Sequence, residues 1–256
     1  MNVLRTRVIP CLLLKNKGLV KTISFADPKY VGDPINAVRI FNEMEVDELI
    51  LLDIEASRLG KEPDFEIIKN IISEAFMPIA YGGGVRNVEH AQRLVSLGVE
   101  KVVVNSAALQ SLDLVRGIVE RLGSSSTVVA VDVKKDWLER YRVIDATTAK
   151  ITDRDPLAHI QQSVDAGAGE IFINDVARDG TGQGYDLNLL HMITPNVSVP
   201  IIACGGAGTL EHFREAVDAG ASAVAAGSMF VYVGKHRAVM INYPQQRILE
   251  GIFKHD

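Results

Sequence analysis

Two aspartates end apolar runs of the sequence and could carry proton-transfer chemistry. Asp132 closes the run that begins at Val128, and Asp53 follows Leu51 and Leu52. A carboxylate at the end of an apolar strand loses solvation, which raises its pKa toward the range useful for general acid–base catalysis. We predict that Asp132 is catalytic and that Asp53 lies at the same site. The alternative for each is a structural carboxylate that binds a neighbouring loop amide.

Two glycine clusters, Gly82–Gly84 and Gly205–Gly208, each precede a predicted helix. Glycine lets the backbone approach a ligand closely, and free amides at a helix start attract phosphate. The alternative is that both are simply tight turns. Because the next apolar runs end in Asn105-Ser106 and Gly227-Ser228, we predict two phosphate sites and a substrate with a phosphate at each end. The predicted phosphate-binding residues are Gly83, Gly84, Asn105 and Ser106 at one site, and Gly180, Gly205, Gly206, Gly227 and Ser228 at the other.

A regular alternation of strands and helices would position these residues. Eight short runs rich in valine and isoleucine are separated by segments of helical period, such as the one between Asn87 and Gly98. Runs that are apolar on both faces are typical of parallel strands covered by helices. The predicted strands span residues 7–14, 48–53, 78–82, 100–105, 127–132, 169–174, 200–204 and 222–227.

An internal repeat indicates the architecture. A shift of 122 positions, from 83 to 205, places Glu89-His90 on Glu211-His212 and Asp53 on Asp175. Two related halves of four strand–helix units close naturally into an α/β fold of the (βα)8 TIM-barrel type. We predict one domain over residues 1–256, with half-barrels of about 1–123 and 124–256. The stretch from Lys134 to Arg154 breaks the rhythm, and we predict a loop with a small hairpin near the active-site face.

Composition and charge exclude several classes of protein. With 27 basic and 32 acidic residues among 256, the net charge of −5 provides no broad field for binding nucleic acid. Cys11 and Cys204 have no spacing suited to a metal site or a disulfide framework, so we expect no metal and a cytoplasmic location. We also expect no cofactor. The apolar run from Val8 to Leu14 is too short to span a membrane.

Several motifs together resemble one enzyme family, the cyclase (HisF-type) subunit of imidazole glycerol phosphate synthase. They are Arg7-Val8-Ile9-Pro10-Cys11-Leu12, Gly32-Asp33-Pro34, Asp47-Glu48-Leu49, Leu52-Asp53-Ile54-Glu55-Ala56-Ser57, Gly82-Gly83-Gly84, Gly167-Ala168-Gly169-Glu170-Ile171, Arg178-Asp179-Gly180-Thr181 and Cys204-Gly205-Gly206-Ala207-Gly208. The resemblance implies a (βα)8 enzyme that receives ammonia from a glutaminase (HisH-type) subunit through the barrel interior. The implied substrate is the doubly phosphorylated ribulosyl compound PRFAR, and the products are imidazole glycerol phosphate and AICAR.

The resemblance also implies roles for individual residues at the mouth. Asp132 matches the second catalytic aspartate of the family, and Asp179 joins the second phosphate site. Leu13 stands where the family has its first catalytic aspartate, and Asn174 stands where it has threonine. Lys21 is expected at the same mouth. Since a leucine transfers no proton, we predict that the acceptor of the ammonia is not the one used in histidine biosynthesis.

At the opposite end, the family surrounds its ammonia entrance with four charged residues of alternating sign. The matches here are Arg7, Glu48, Lys101 and Glu170, from four predicted strand starts. The alternative for each is a solvated charge at a strand end. Four charges that converge on one axis would form a neutral paired layer, so we predict a gate.

A finer similarity concerns a HisF-like branch associated with surface polysaccharide, including lipopolysaccharide, formation. It rests on Leu13-Leu14-Lys15, the segment 28–35, Gly234-Lys235-His236-Arg237 and Asn242-Tyr243-Pro244. This branch implies a third partner, a sugar amidotransferase. Two alternatives stay open: an authentic cyclase of histidine biosynthesis, and a non-catalytic conduit that activates the glutaminase.

Overall fold

Eight parallel strands form a closed barrel in the computed structural model, which describes residues 5–254. The first four residues and the last two, included in the predicted half-barrels, lie outside the described residues. The barrel strands are β1 (Arg7–Lys15), β2 (Leu49–Asp53), β3 (Ile79–Gly82), β4 (Lys101–Val104), β5 (Thr127–Lys135), β6 (Glu170–Asp175), β7 (Ile201–Cys204) and β8 (Ala223–Ala226). They pair in chain order, and β8 returns to pair with β1 at Arg7 and Ala223. The predicted (βα)8 barrel is confirmed.

Helices follow the strands and cover the outside of the barrel. They are α1 (Pro34–Glu43), α2 (Phe65–Ile72), α3 (Val88–Ser96), α4 (Ser106–Gln110), α5 (Asp113–Leu122), α6 (Pro156–Asp165), α7 (Leu187–Ile193), α8 (Leu210–Asp218), α9 (Ser228–Val231) and α10 (Gln246–Phe253). The predicted helix after Asn87 is present, and the Asn87 side chain accepts the backbone N–H of His90 as its N-cap. No helix in the described part of the chain is both long and apolar enough to cross a bilayer.

Alternation along each strand divides the core into two layers. On β1, Val8 and Leu12 pack outward against the helices, whereas Ile9 and Cys11 point into the barrel. The interior layer is formed by Ile9, Cys11, Ile50, Ala80, Val103, Val128, Ala130, Phe172, Ile202, Cys204, Ala223 and Ala225. The strands are therefore apolar on both faces, as their sequences indicated.

The two halves repeat the same close contacts after their third strands. A Cβ atom on Gly83 would lie 2.5 Å from the carbonyl oxygen of Asp53, and one on Gly205 would lie 2.5 Å from that of Asp175. Both glycines also have positive φ, +122° and +90°, which disfavours any other residue. These matched contacts support our half-barrel proposal.

Three antiparallel hairpins extend from the C-terminal ends of the strands, and we call them the mouth hairpins (residues 15–32, 133–154 and 232–240). Their strands beyond the barrel are Gly18–Ile23 with Ala26–Gly32, Tyr141–Asp145 with Lys150–Ile151, and Tyr232–Val233 with Ala238–Val239. The second is the hairpin predicted after Lys134. The first was not foreseen.

Candidate functional site

The carboxylate of Asp132 lies where β5 leaves the barrel, between two asparagines. Nδ2 of Asn105 donates to its Oδ2 at 2.7 Å, and Nδ2 of Asn174 donates to its Oδ1 at 3.4 Å. Asp132 is 5% exposed, and this burial raises its pKa to about 6, although both amides favour the ionised form. A carboxyl group with such a pKa can accept or donate a proton near neutral pH.

A cavity of about 600 Å³ opens at the C-terminal ends of the strands. It brings together eight of the site residues predicted from the sequence: Leu13, Asp53, Gly83, Gly84, Asn105, Ser106, Asp132 and Asn174. The first mouth hairpin contributes Phe25 and Pro28 to the wall, and the second contributes Thr147 and Thr148. The two hairpins therefore frame the space in which a ligand would meet Asp132.

The first predicted phosphate site is part of this cavity. Gly83, Gly84, Asn105 and Ser106 all line it. Gly84 has a φ of +72°, and a Cβ atom there would lie 2.8 Å from the carbonyl oxygen of Lys61. Its N–H donates to Oγ of Ser57 at 3.1 Å. The backbone at this turn therefore strongly favours glycine, and it shares the cavity with Ser106, the first residue of α4.

The second predicted phosphate site lies apart from the cavity, beneath the first mouth hairpin. Its residues are Asp179, Gly180, Gly205, Gly206, Gly227 and Ser228, none of which borders the cavity in the described structure. Oγ1 of Thr22 donates to Asp179 at 3.1 Å, and the N–H of Ser24 donates to the Asp179 carbonyl at 2.9 Å. The hairpin is therefore tied directly to the loop after β6.

Lys21 extends from that hairpin into the barrel end and is 5% exposed. Its Nζ donates to the carbonyl oxygen of Cys11. A Cβ atom on Gly227 would lie 2.5 Å from the same Nζ. Burial disfavours the charged form of both groups, so it lowers the pKa of Lys21 and raises the pKa of Asp179 nearby. An anion bound at Gly227 would meet this ammonium group.

Asp53 binds neighbouring loop amides, which is the structural alternative that the sequence analysis left open for it. Its Oδ1 accepts the backbone N–H groups of Glu55 and Ala56, both at 2.9 Å. Asp175, its counterpart in the second half, accepts the N–H of Ala177 at 2.9 Å. Asp53 borders the cavity, but its carboxylate holds the loop after β2.

The four charges predicted as a gate form one ion-paired layer at the N-terminal end of the barrel. Arg7 donates to both Glu48 and Glu170, and Nζ of Lys101 lies 3.1 Å from Glu48 and 2.9 Å from Glu170. The glutamate side chains are 4% and 6% exposed, whereas Arg7 and Lys101 are 28% and 18% exposed. Each acid therefore contacts both bases, and the layer closes the end of the apolar interior.

The two cysteines and the possible metal ligands complete the description of the reactive side chains. Cys11 and Cys204 are free and buried in the interior layer. Among residues 5–254, no group of three or more His, Cys, Asp and Glu side chains is arranged to hold a metal ion.

Comparisons with known proteins agree with this geometry. A family model described as histidine biosynthesis protein matches residues 7–237. The chain is 53% identical to a Pseudomonas aeruginosa protein provisionally named imidazole glycerol phosphate synthase subunit hisF2, over 96% of this chain and 98% of that protein. It is 46% identical to a Leptospira borgpetersenii protein of similar provisional name, over 98% and 99%, and 39% identical to the imidazole glycerol phosphate synthase subunit HisF of Streptomyces coelicolor, over 89% and 90%. The chain belongs to the HisF family.

This HisF-family barrel also uses residues to which the sequence analysis gave no role at the site. Oγ of Ser57 accepts from the first glycine turn, and Phe25, Thr147 and Thr148 wall the cavity from the hairpins. Asn105, which we predict to bind phosphate, lines the same cavity and also donates to Asp132. Ser57 directly follows Glu55 and Ala56, whose N–H groups bind Asp53, and only the fold brings it to Gly84.

Proposed function

We propose that this chain is the barrel subunit of a glutamine-dependent amidotransferase complex of the HisF type. A HisH-type glutaminase would bind the N-terminal face, around Arg7, Glu48, Lys101 and Glu170, and release ammonia into the barrel. The paired charge layer above an apolar interior supports this path, since neutral ammonia is compatible with an apolar passage. A ligand with two phosphates would be held at the opposite end by the two glycine sites.

The observation that carries the choice of reaction is Leu13 in the wall of the Asp132 cavity. The family resemblance implies an aspartate at this place, and a positioned acid–base group contributes roughly 10²–10⁴ in rate. Turnover of PRFAR should therefore be slower than in a two-aspartate relative by at least about 10²-fold, or roughly 2.7 kcal/mol. The ammonia would serve another acceptor.

We propose that this acceptor belongs to surface polysaccharide formation and is held by a third protein, a sugar amidotransferase. The two free cysteines are compatible with the reducing cytoplasm, where we place the complex. A second candidate is a conduit that activates the glutaminase without catalysis in the barrel. Leu13 favours it, while the raised pKa of Asp132 favours chemistry in the barrel.

One assay tests the reaction and another tests the partnership. Purified protein is incubated with PRFAR and an ammonium salt, beside the Leu13→Asp variant, and substrate loss is followed. We expect weak turnover by the wild type with a measurable gain in the variant. Turnover equal to that of a two-aspartate enzyme, or rescue of a histidine auxotroph lacking its cyclase, would establish the plain imidazole glycerol phosphate synthase instead.

The partnership is measured by calorimetry with a HisH-type glutaminase of the same organism. A complex at micromolar concentration is expected, together with glutamine hydrolysis above that of the isolated glutaminase. If no complex forms, the barrel receives no ammonia from that protein and the proposed function fails.

A further inference from the structure

The exposed apolar side chains of this barrel are concentrated on the mouth hairpins. Nine large ones lie there: Ile23, Phe25, Tyr30, Trp137, Leu138, Ile151, Val233, Val239 and Met240. Trp137 is 86% exposed and Tyr30 is 70% exposed. Scattered single apolar residues are ordinary on a surface, but a concentration around one opening marks an interaction site.

Positive charge is concentrated on the same three hairpins. They contain 12 of the 27 basic residues of the chain but only five of the 32 acidic residues, a net charge of +7. The rest of the chain then carries −12, since the total is −5. Lys21 is buried, and Lys15 and Lys17 pair with Glu55 and Asp64 outside the hairpins. The other nine basic residues against five acidic ones leave a net charge of +4, which favours an acidic partner at the mouth.

The hairpins surround one opening. The first and second share the cavity wall through Phe25 and Thr147. The first also binds the loop after β6 through Ser24, and Nη1 of Arg237 on the third approaches the carbonyl oxygen of Gly180 in that loop at 3.5 Å. A partner seated across them would cover the cavity that contains Asp132.

Trp137 lies in a turn that is held by hydrogen bonds within the turn itself. Oδ1 of Asp136 accepts the backbone N–H groups of Leu138 at 2.8 Å and Arg140 at 3.0 Å. The N–H of Asp136 donates to the carbonyl of Arg140, and the guanidinium of Arg140 binds the Asp136 carboxylate at 2.9 Å. An aromatic side chain on a preorganised turn loses little entropy when it is buried, which is typical of an interface hot spot.

We propose that the mouth hairpins form a docking surface for an acidic protein, with Trp137 and Tyr30 as its apolar anchors. Such a protein would take ammonia or product directly from the cavity. A membrane is a poorer occupant, because Asp136, Glu139 and Arg140 lie in the same turn as Trp137 and would be desolvated in acyl chains. A protein surface supplies counter-charges and water to such groups.

The inference rests on the proposed function, because the probe is the sugar amidotransferase named there. In the experiment, this amidotransferase is added to the preformed complex of the barrel with its glutaminase. Trp137 is the chain's one tryptophan, so 5-fluorotryptophan labelling of the barrel gives a single fluorine signal from the surface in question. The amidotransferase should shift that signal. Glutaminase alone, at the other end of the barrel, should leave it unchanged.

Affinity variants complete the test. Trp137→Ser and Tyr30→Ser should each weaken amidotransferase binding by at least about tenfold, and salt should weaken it further. The control is Ile40→Ser, a 37% exposed apolar residue on α1, one of the helices that cover the outside of the barrel. It should leave amidotransferase binding unchanged.

Several outcomes would overturn the docking surface. One is that all variants bind the amidotransferase equally well. Another is that the amidotransferase does not bind at about 50 μM although the glutaminase complex forms. A third is that the hairpins instead mediate binding to phosphatidylglycerol vesicles or to a second copy of this chain. Failure of the glutaminase complex itself would instead refute the proposed function. The two ideas therefore fail separately.

Discussion

Replacing Asp132 by asparagine should change the pH dependence of stability in a direction that the structure fixes. Burial raises the pKa of Asp132 from 3.8 in the unfolded chain to about 6 in the folded protein. The stability that this group contributes is therefore complete below pH 3.8 and is lost as pH rises through about 6. Between pH 5 and pH 8, the wild type should lose about 1.4 kcal/mol of folding free energy for this reason.

The Asp132→Asn variant lacks this loss, so its stability relative to the wild type should rise by about 1.4 kcal/mol across the same interval. A constant offset is expected as well, because Asn105 and Asn174 both donate to the present carboxylate and one amide must turn to meet a new NH₂ group. The offset does not depend on pH. Only the change between the two pH values tests the reasoning.

Urea unfolding followed by circular dichroism at pH 5 and pH 8 measures the effect, with Asp136→Asn as the control. Desolvation acts to raise the pKa of Asp136, but hydrogen bonds from Arg140 and Leu138 together lower it. That carboxylate is thus ionised throughout the interval, and its variant should differ from wild type equally at both pH values. If the Asp132→Asn variant shows no gain at pH 8 over pH 5, Asp132 is not a buried acid with a raised pKa.

Two further substitutions test the ends of the barrel. Lys101→Met leaves Glu48 and Glu170 with Arg7 as their one basic partner in the layer. Since Lys101 is partly exposed, we expect the unfolding free energy to fall by about 2 kcal/mol and ammonia transfer to be impaired. The control, Lys101→Arg, should retain most of the stability and most of the ammonia transfer. Unaltered stability in Lys101→Met would show that the layer is solvated. Gly84→Ala should weaken inorganic phosphate binding at least about tenfold by calorimetry, because its φ is +72° and its Cβ would meet the Lys61 carbonyl. The control, Gly251→Ala, has open space around it, and equal binding by both variants would remove Gly84 from the site.

The barrel was predictable because its signal is local and repeated. Strands such as β6 are buried at every residue, which produces the continuous apolar runs of the sequence. Helix α3 begins at an asparagine cap, which is also a local signal. Each such unit can be identified without knowing what it packs against.

The first mouth hairpin was not predicted, because its sequence carries no local signal of this kind. Its second strand, Ala26–Gly32, is exposed over most of its length, so no apolar alternation marks it. Its partners are distant in sequence: Thr22 binds Asp179, and Lys21 reaches Gly227. Such contacts depend on closure of the barrel, and no local pattern contains them.

Asp53 and Asp132 show the same limit within the site. Both end apolar runs, and for each a catalytic and a structural interpretation were open, with the catalytic one favoured for Asp132. The difference arises from their neighbours, since Asp53 is followed by a loop that turns its amides back to the carboxylate. Asp132 continues in extended backbone to Lys135, so its carboxylate meets side chains from other strands instead.

The two ends of the barrel are under different physical constraints, which bears on our proposal that the mouth departs from the family pattern while the charge layer keeps it. Glu48 and Glu170 are buried, so removing a basic partner leaves an uncompensated charge and costs stability even without ammonia. Leu13 carries no such penalty, because it packs with Leu52 against the interior layer and needs no polar partner. An aspartate at position 13 would be a second desolvated acid in the cavity of Asp132. Leucine there withholds a proton-transfer group at little cost to folding, so the change of acceptor that we propose for the mouth need not disturb the ammonia path that we propose for the opposite end.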